Sequence, residues 1–314
     1  MRIFIAGASG AIGSHLVPQL VARGHQVVGT TRSAAKVGTL RALGAEPVIV
    51  DALDPDSVAD AVANAEPEVV VHQLTALSGP VTSRNTKRGI AETNRLRTQG
   101  TDYLLAAARA VGAGKVVAQS NALWMERVAG QVAGEDDPLE PNPPADAWEG
   151  VEALRYLETA VTGISWGDGI AIRYGSFYGP GTGIERAPGG VIAEQIRKRK
   201  FPIVGGGGGV TSLAHIADAA SATVAAIERG RPGIYHVADD EPAPVREWLP
   251  VLARALGARP PRRVPAWLAR LIAGPAAVDM MTRARGISSE RAKRELGWKP
   301  EYPTWRLGFA EGLG

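Results

Sequence analysis

The chain has 314 residues and a net charge of +3, and glycine and proline together make up about a fifth of it. Its apolar fraction of 45% and charged fraction of 21% exclude an intrinsically disordered chain. The absence of cysteine excludes disulfides, thiolate metal sites and a cysteine nucleophile. No apolar run approaches the ~20 residues that cross a bilayer, and the first ten residues are too poor in apolar side chains for a signal peptide. A cytoplasmic protein with no membrane partner is therefore expected.

Positive charge is concentrated near the end of the chain. From Arg254 onward, 12 Lys or Arg stand against 5 Asp or Glu, which gives +7 there and −4 in the first 253 residues. These basic residues are scattered among Trp, Leu and Pro and no nucleic-acid motif accompanies them. The pattern favours a solvated face, or a pocket for an anionic group, over a nucleic-acid partner.

Short apolar runs alternate with helical patterns through the first 175 residues. This alternation predicts an α/β protein with a doubly wound parallel sheet, the Rossmann architecture. Near-continuous apolar runs such as PVIV fit strands that are buried on both faces. Strands are predicted at residues 2–6, 26–31, 46–50, 68–73, 115–119, 169–173 and 233–237. Helices are predicted at residues 12–23, 33–43, 55–64, 85–111, 147–162, 189–200 and 213–229.

The pattern loosens after Tyr178 into glycine- and proline-rich loops, and five glycines occupy positions 205–209. We predict a dinucleotide-binding Rossmann domain at residues 1–175 and a smaller, mostly helical substrate-binding domain at residues 176–314. Residues 210–237 are expected to return to the first domain.

The first predicted strand runs into the turn GASGAIG at positions 7–13, after which a helix begins. Glycines in such a turn let the backbone approach a pyrophosphate, whose charge lies at the helix N-terminus. The turn therefore predicts dinucleotide binding. The cofactor-binding residues expected here are Gly7, Ser9, Gly10, Ala11, Ile12 and Gly13.

The residues after the second strand discriminate between NAD and NADP. An acidic residue there would bond the ribose hydroxyl of NAD, but the chain has Thr31, Arg32 and Ser33. The guanidinium of Arg32 can pair with a 2′-phosphate, with the two hydroxyls in support. NADP(H) is therefore favoured over NAD(H). Asp51, just after the third strand, is a candidate for bonding the adenine amino group.

Several further motifs carry a family resemblance. They are GTDYLLAAA at 100–108, VAQSNALW at 117–124, IRYGSFYGPGTG from 172, LAHIADAA from 213 and the closing ELGWKPEYPTWRLGF. With the glycine turn, they make the chain resemble the extended short-chain dehydrogenase/reductase superfamily, specifically its NAD(P)-dependent epimerase/dehydratase group. The resemblance implies cofactor contacts from Ala52, Leu74 and Gln119, and a homodimer is common in the family.

The proton donor of that family is a Tyr-x-x-x-Lys pair. None of the six tyrosines here has a lysine four residues later. If Trp148 is aligned with the tyrosine, Glu152 takes the lysine position. If Glu158 is aligned with a glutamate that commonly follows the pair, Gly150 and Leu154 take the two positions. Neither alignment restores the acid, because an indole N–H cannot supply a proton near neutral pH.

Three explanations stay open: another residue donates the proton, the substrate accepts hydride without a protein acid, or the cofactor is a structural or sensing ligand. The catalytic candidates are Ser120, Tyr178 and Tyr156. Ser120 matches the family residue that polarises the substrate carbonyl, and Tyr178 matches a position that lines the substrate pocket. His215 matches a family histidine that is generally structural.

The substrate-binding residues expected are Trp124, Trp148, Arg173 and Tyr178. In the family an asparagine usually precedes the Gly-Thr of the first long helix by three residues; Arg97 holds that spacing here, and Asn94 precedes Gly100 by six. No ligand spacing for a metal is present.

The combined prediction is an NADP(H)-dependent oxidoreductase acting on a small organic carbonyl or conjugated substrate, with a non-standard proton donor. The alternatives are a non-redox epimerase, dehydratase or isomerase that retains its cofactor, and a non-catalytic NADP(H)-sensing protein.

Overall fold

A computed structural model describes residues 1–77, 83–128, 130 and 132–314. Its centre is a parallel sheet whose order is β7-β6-β5-β4-β1-β2-β3. The predicted doubly wound architecture is therefore confirmed, and only the strand ends differ from the predicted ones by a residue or two. The strands are β1 (Arg2–Ala6), β2 (Gln26–Thr31), β3 (Glu46–Ile49), β4 (Val69–His72), β5 (Lys115–Asn121), β6 (Asp168–Tyr174) and β7 (Gly233–Val237).

Helices cover both faces of this sheet and continue into the C-terminal part. They are α1 (Ala11–Ala22), α2 (Val37–Ala42), α3 (Pro55–Ala65), α4 (Ser83–Arg95), α5 (Thr101–Ala110), α6 (Trp148–Thr162), α7 (Val191–Arg197), α8 (Ile216–Arg229), α9 (Val245–Ala255), α10 (Ala266–Arg283), α11 (Glu290–Leu296) and α12 (Trp305–Glu311). A 3-10 turn at Ala34–Lys36 precedes α2, and a π-helical turn at Leu96–Gly100 joins α4 to α5.

Alternate residues of each central strand contribute to two different cores. Ile3 and Ile5 pack with α1 and α8 on one face, whereas Phe4 between them packs with α3, α5 and α6 on the other. This double burial explains why the strands read as apolar runs. Helix α8 and strand β7 both belong to the sheet layer, although they lie far along the chain.

A third core holds the C-terminal part together around Tyr178, Leu249, Trp305 and Phe309. Here short strand pairs replace a sheet. They join Val132–Ala133 to Gly286–Ile287, Ser176–Tyr178 to Leu213–His215, Ile203–Val204 to Arg263–Val264, and Val210–Thr211 to Ala243–Pro244.

Two helices differ from their predicted bounds, one at its start and one in its interior. The helix expected at 213–229 begins at Ile216, because residues 213–215 form a strand and the His215 ring accepts a hydrogen bond from the Ala217 amide at the helix N-terminus. The long helix expected at 85–111 is interrupted by the π turn ending at Gly100. A methyl group on that glycine would lie 3.5 Å from the Ala52 carbonyl oxygen, so helix and loop approach closely there. No helix of the described residues is long and apolar enough to span a membrane.

Candidate functional site

The glycine turn after β1 is shaped by two positions that admit no side chain. Gly7 has φ of +93°, and a Cβ there would lie 2.7 Å from the Gln73 carbonyl oxygen. A Cβ on Gly13 would lie 2.3 Å from the Ala8 carbonyl oxygen. Both distances are shorter than a van der Waals contact, so the close approach of the backbone requires hydrogen at these positions.

Helix α1 begins directly after this turn and presents free backbone amides. Its N-cap is Gly10, which has extended geometry and supplies no side-chain hydrogen bond to the first turn. The amides of Ala11, Ile12 and Gly13 have no partner within the helix. Together with the positive end of the helix dipole, they fit the pyrophosphate of a dinucleotide.

The end of β2 lies beside this turn through a hydroxyl network. Thr31 Oγ1 accepts hydrogen bonds from Ser9 Oγ at 3.2 Å and from the Ser33 amide at 3.1 Å. The Arg32 guanidinium is half exposed and is ion-paired with Glu92 of α4. Lys36 Nζ donates to the Ser9 carbonyl at 3.2 Å, which adds a second cation that sequence reasoning missed. Lys36 follows Arg32 by four residues, about one helical turn, and this spacing could have identified it from the sequence.

The loops after β3 and β4 continue this edge of the sheet. Asp51 is exposed, and its carboxylate accepts the Leu53 amide at 3.0 Å; Ala52 beside it is buried. His72 Nδ1 accepts the Leu74 amide, so its Nε2–H donates to the Leu96 carbonyl at 3.1 Å. Burial lowers the pKa of His72 to about 4, which keeps the ring neutral near pH 7.

Ser120 lies at the end of β5, but its hydroxyl is engaged inside the protein. Ser120 is fully buried, and its Oγ donates to Glu158 Oε1 at 2.6 Å. Arg173 of β6 donates through Nε and Nη2 to the two oxygens of the same carboxylate, each at 2.8 Å. Arg173 is also buried and donates to the Asp137 carbonyl. Neither the serine nor this arginine presents a free polar group to a substrate. Gln119, by contrast, is half exposed on the same strand.

The hydroxyl groups of the two tyrosine candidates are likewise either hydrogen-bonded within the protein or buried in a core. Tyr178 is fully buried in the third core, its hydroxyl has no hydrogen-bond partner among the described residues, and burial raises its pKa. Tyr156 lies on the outside of α6 and donates to both carboxylate oxygens of Asp102, at 2.7 and 2.8 Å, which raises its pKa. His215 Nε2 donates to the Gly312 carbonyl at 2.8 Å. None of these placements is typical of a proton donor at a substrate.

The tryptophan candidates differ in environment. Trp124 is buried against Met125, Leu139 and Leu154. Trp148 is the first residue of α6, and its side chain is exposed.

The sheet-facing side of α6 carries the buried carboxylate of Glu158, which bonds Ser120 of β5 and Arg173 of β6. The sequence alignment through Glu158 compares Gly150 and Leu154 with the family's tyrosine and lysine. Leu154 is packed in a core cluster, and a methyl group on Gly150 would meet only Asn94 Oδ1, at 3.8 Å.

An open cleft of about 650 Å³ is lined by residues between 126 and 145 and by helix α10, and by no residue of the glycine turn. It separates the loop before α6 from α10, and its lining mixes both charges. The lining residues are Glu126, Arg127, Val128, Glu140, Pro141, Asn142, Pro143, Pro144, Ala145, Arg270, Pro275, Asp279 and Arg283. Among the described residues no cluster of His, Asp or Glu could hold a metal ion.

The chain is similar to known proteins in both sequence and structure. A sequence profile of the NAD dependent epimerase/dehydratase family matches residues 3–238. The chain is 46% identical over 311 residues to a 3-diazoavenalumate denitrifying reductase of a Streptomyces species, covering 98% of this chain and 99% of that protein. It is 27% identical to the 4-hydroxy-2-methyl-3-oxo-4-farnesyl-3,4-dihydroquinoline-1-oxide ketoreductase of Stigmatella aurantiaca, covering 95% of this chain and 92% of that protein.

Solved structures share the whole fold. The UDP-glucose 4-epimerase of Thermus thermophilus, in complex with NAD, is 26% identical with a TM-score of 0.73, covering 100% of this chain and 98% of that one. The human epimerase family protein SDR39U1, with NADPH, is 18% identical with a TM-score of 0.76, covering 100% and 99%.

Proposed function

Because this chain belongs to the NAD dependent epimerase/dehydratase family and is an oxidoreductase with a nicotinamide cofactor, we propose that it reduces a small conjugated electrophile with NADPH. The substrate class that we favour is an aromatic diazo compound that carries an oxyanion. Its reduction requires no proton from the protein.

The observation that carries this proposal is the chemistry of α6. On the alignment through Glu158, hydrogen at Gly150 and an isobutyl group at Leu154 correspond to the family's phenol and ammonium. The two tyrosine hydroxyls proposed as replacements are occupied by Asp102 or packed in a core. A positioned acid typically contributes ~10²–10⁴-fold, so a ketone reductase without one would be slow. A diazonium substrate removes the need for that acid.

The cofactor supplies a hydride when it is bound. At an aryl diazonium the C–N bond breaks, dinitrogen leaves with the bonding electron pair, and the hydride provides the new C–H bond. Atoms and charge balance with arene, dinitrogen and oxidised cofactor as the products. The printed name of the Streptomyces relative, which joins diazo, denitrifying and reductase, supports this chemistry at 46% identity.

NADPH rather than NADH is favoured by the charges at the end of β2. Arg32 directly follows Thr31, whose hydroxyl accepts a hydrogen bond from Ser9, and Lys36 donates to the Ser9 carbonyl. Two cations and several hydroxyls suit a 2′-phosphate dianion. Glu92 balances one of these cations when no phosphate is bound.

A carbonyl substrate is the second candidate, because the Stigmatella relative is a ketoreductase. The two are separated by a matched pair of probes, 4-carboxybenzenediazonium and 4-acetylbenzoate, each incubated with NADPH and with NADH. We expect enzyme-dependent NADPH consumption, benzoate and dinitrogen with the first probe, after subtraction of the uncatalysed reaction. Faster reduction of the ketone would refute the diazo assignment, and saturable NADPH binding without consumption of either would favour a sensing protein.

The Gly150→Tyr/Leu154→Lys double variant installs the family pair and serves as the matched test of the α6 argument. If the missing acid limits ketone reduction, this variant reduces 4-acetylbenzoate faster than the wild type. An unchanged ratio of ketone to diazonium turnover would argue that α6 does not set the substrate class.

A further inference from the structure

One face of α4 and of the π turn after it points at α6 and carries two polar side chains that make no hydrogen bond or ion pair with the described residues. Asn94 and Arg97 are three residues apart, which places them on the same side of the helix. The turn is fixed to the end of β4 by the His72–Leu96 hydrogen bond, and to the loop after β4 by Thr93 Oγ1, which accepts the Ala76 amide. This face therefore lies where the carboxyl ends of β4 and β5 meet α6.

Arg97 is a buried cation that has no counter-ion within ion-pair distance among the described residues. It is 8% exposed, and among the described residues its guanidinium has no ion pair within 4.0 Å and no hydrogen bond. The opposite charge that acts on it is Glu158, whose carboxylate already binds Arg173 and Ser120. Burial lowers the pKa of Arg97 to about 10, which leaves it protonated at neutral pH.

The neighbouring histidines add no further positive charge. Burial lowers the pKa of His72 to about 4 and that of His236 to about 3, so both are neutral at pH 7. Two arginines and one glutamate leave this cluster with one net positive charge. An uncompensated buried charge is strongly unfavourable unless a ligand pairs with it.

Asn94 is the second unsatisfied group on this face. Its Nδ2 and Oδ1 are both buried, and neither has a hydrogen-bond partner in the described part of the chain. Its oxygen faces Gly150, where hydrogen leaves space beside the carboxamide. A carboxamide with a free donor and a free acceptor next to a buried cation is suited to a polar ligand.

We propose that Arg97 and Asn94 form an oxyanion subsite for the substrate, with Arg97 pairing with a carboxylate or phenolate of an aromatic substrate and Asn94 bonding the same polar end. This assignment rests on the proposed function for the kind of substrate but not for the binding itself. A cation at the oxyanion also lowers the electron density of the ring and so favours attack by hydride. Arg97 would therefore assist the reaction as well as bind the substrate.

The test is a binding measurement that does not depend on turnover. Cinnamate, its neutral amide cinnamamide, and 4-nitrophenolate at pH 8 are titrated into NADP⁺-saturated protein by calorimetry. We expect at least one of the two anions to bind about 10- to 100-fold more tightly than the amide, the range that charge-assisted hydrogen bonds provide. The anion that binds more tightly shows whether the subsite prefers a carboxylate or a phenolate.

The variants are Arg97→Met, Arg97→Lys and Asn94→Asp, with Arg95→Met as the matched control. Arg95 is exposed on the same helix and donates to Gln99. Arg97→Met and Asn94→Asp are expected to abolish the preference for the anion, Arg97→Lys to retain part of it and Arg95→Met to retain all of it. The dissociation constant of NADPH is expected to be unchanged in all four.

Thermal unfolding of the ligand-free protein separates a binding role from a structural one. Because the described part of the chain provides no ion pair for Arg97, Arg97→Met is expected to leave the Tm equal or higher. A lower Tm with an unchanged preference for anions would overturn the proposal, and so would wild-type protein that binds neither anion more tightly than the amide. Failure of the diazonium assay with intact anion binding would refute the proposed reaction alone.

Discussion

The cofactor end and the reaction end of the sheet are built in opposite ways. Around β1 and β2 the site consists mostly of backbone: glycines at 7 and 13, the amides of α1 and short hydroxyl contacts. Around β5 and α6 it consists of side chains from four elements, with Ser120, Glu158, Arg173 and Arg97 placed by tertiary packing. A site made of closely packed backbone tolerates few substitutions at its glycines. A site made of side chains can change its chemistry by substitution while the fold stays the same.

The largest expected effect lies in the buried cluster at the reaction end. Glu158→Gln leaves Arg173 buried without its carboxylate partner, and we expect it to cost about 3–5 kcal/mol of unfolding free energy. Urea denaturation followed by circular dichroism measures this loss. A change below about 1 kcal/mol would mean that the cluster is not what orders this end of the sheet.

Ser120→Ala is the companion variant that separates structure from chemistry. It leaves both Arg173 contacts to Glu158 in place, so we expect a loss of about 1–3 kcal/mol, typical of a hydrogen bond to a charged group. Because the hydroxyl is turned inward, we expect kcat to change less than threefold. A fall of tenfold or more would show that Ser120 contacts the reacting group.

At the cofactor end, Gly13→Ala tests whether the backbone alone makes the site. The new methyl group would lie 2.3 Å from the Ala8 carbonyl oxygen, so the turn has to shift, at a cost of about 1–3 kcal/mol. We expect the dissociation constant of NADPH to rise about 10- to 100-fold, measured by fluorescence. Gly38→Ala in α2, where a methyl group meets nothing within 4 Å, is the control and should bind NADPH normally.

The preference for NADPH over NADH should depend on the charged side chains at the end of β2 and not on the backbone of the glycine turn. Arg32→Ala is expected to weaken NADPH about 10- to 100-fold and to leave NADH within about twofold. Glu92→Gln removes the competing partner of Arg32 and should tighten NADPH about two- to fivefold, the worth of a surface ion pair. Equal effects on both dinucleotides would remove Arg32 from the 2′-phosphate site.

The same contrast explains how far the sequence could be interpreted. The positions of the strands and the glycine turn follow from local patterns, since apolar runs and GASGAIG need only their own neighbours. The hydrogen-bond partners of Ser120 and Arg173 come from residues 38 and 15 positions away, and no local pattern carries that pairing. The lack of an ion pair for Arg97 within the described ranges is informative only once its burial is known.

A mismatch of the same kind affects Tyr178. Its YGP segment matches a family position beside the substrate, yet its ring packs against Gly308, His215 and Phe309 in the third core. Sequence similarity identified the position in the chain but not the direction of the side chain. Burial of the α12 segment against this ring decided that direction.

The smallest expected effect, that of Tyr178→Phe, tests most directly whether Tyr178 is the proton donor. Tyr178→Phe removes a buried hydroxyl that has no partner among the described residues, so unfolding free energy should change by less than about 1 kcal/mol, in either direction. Steady-state kcat should stay within twofold, because a phenol whose pKa is raised by burial and which faces a core cannot donate to a substrate. If Tyr178 were the proton donor, kcat would instead fall ~10²–10⁴-fold. Tyr156→Phe, which loses only the surface bond to Asp102, provides the matched comparison under the same assay.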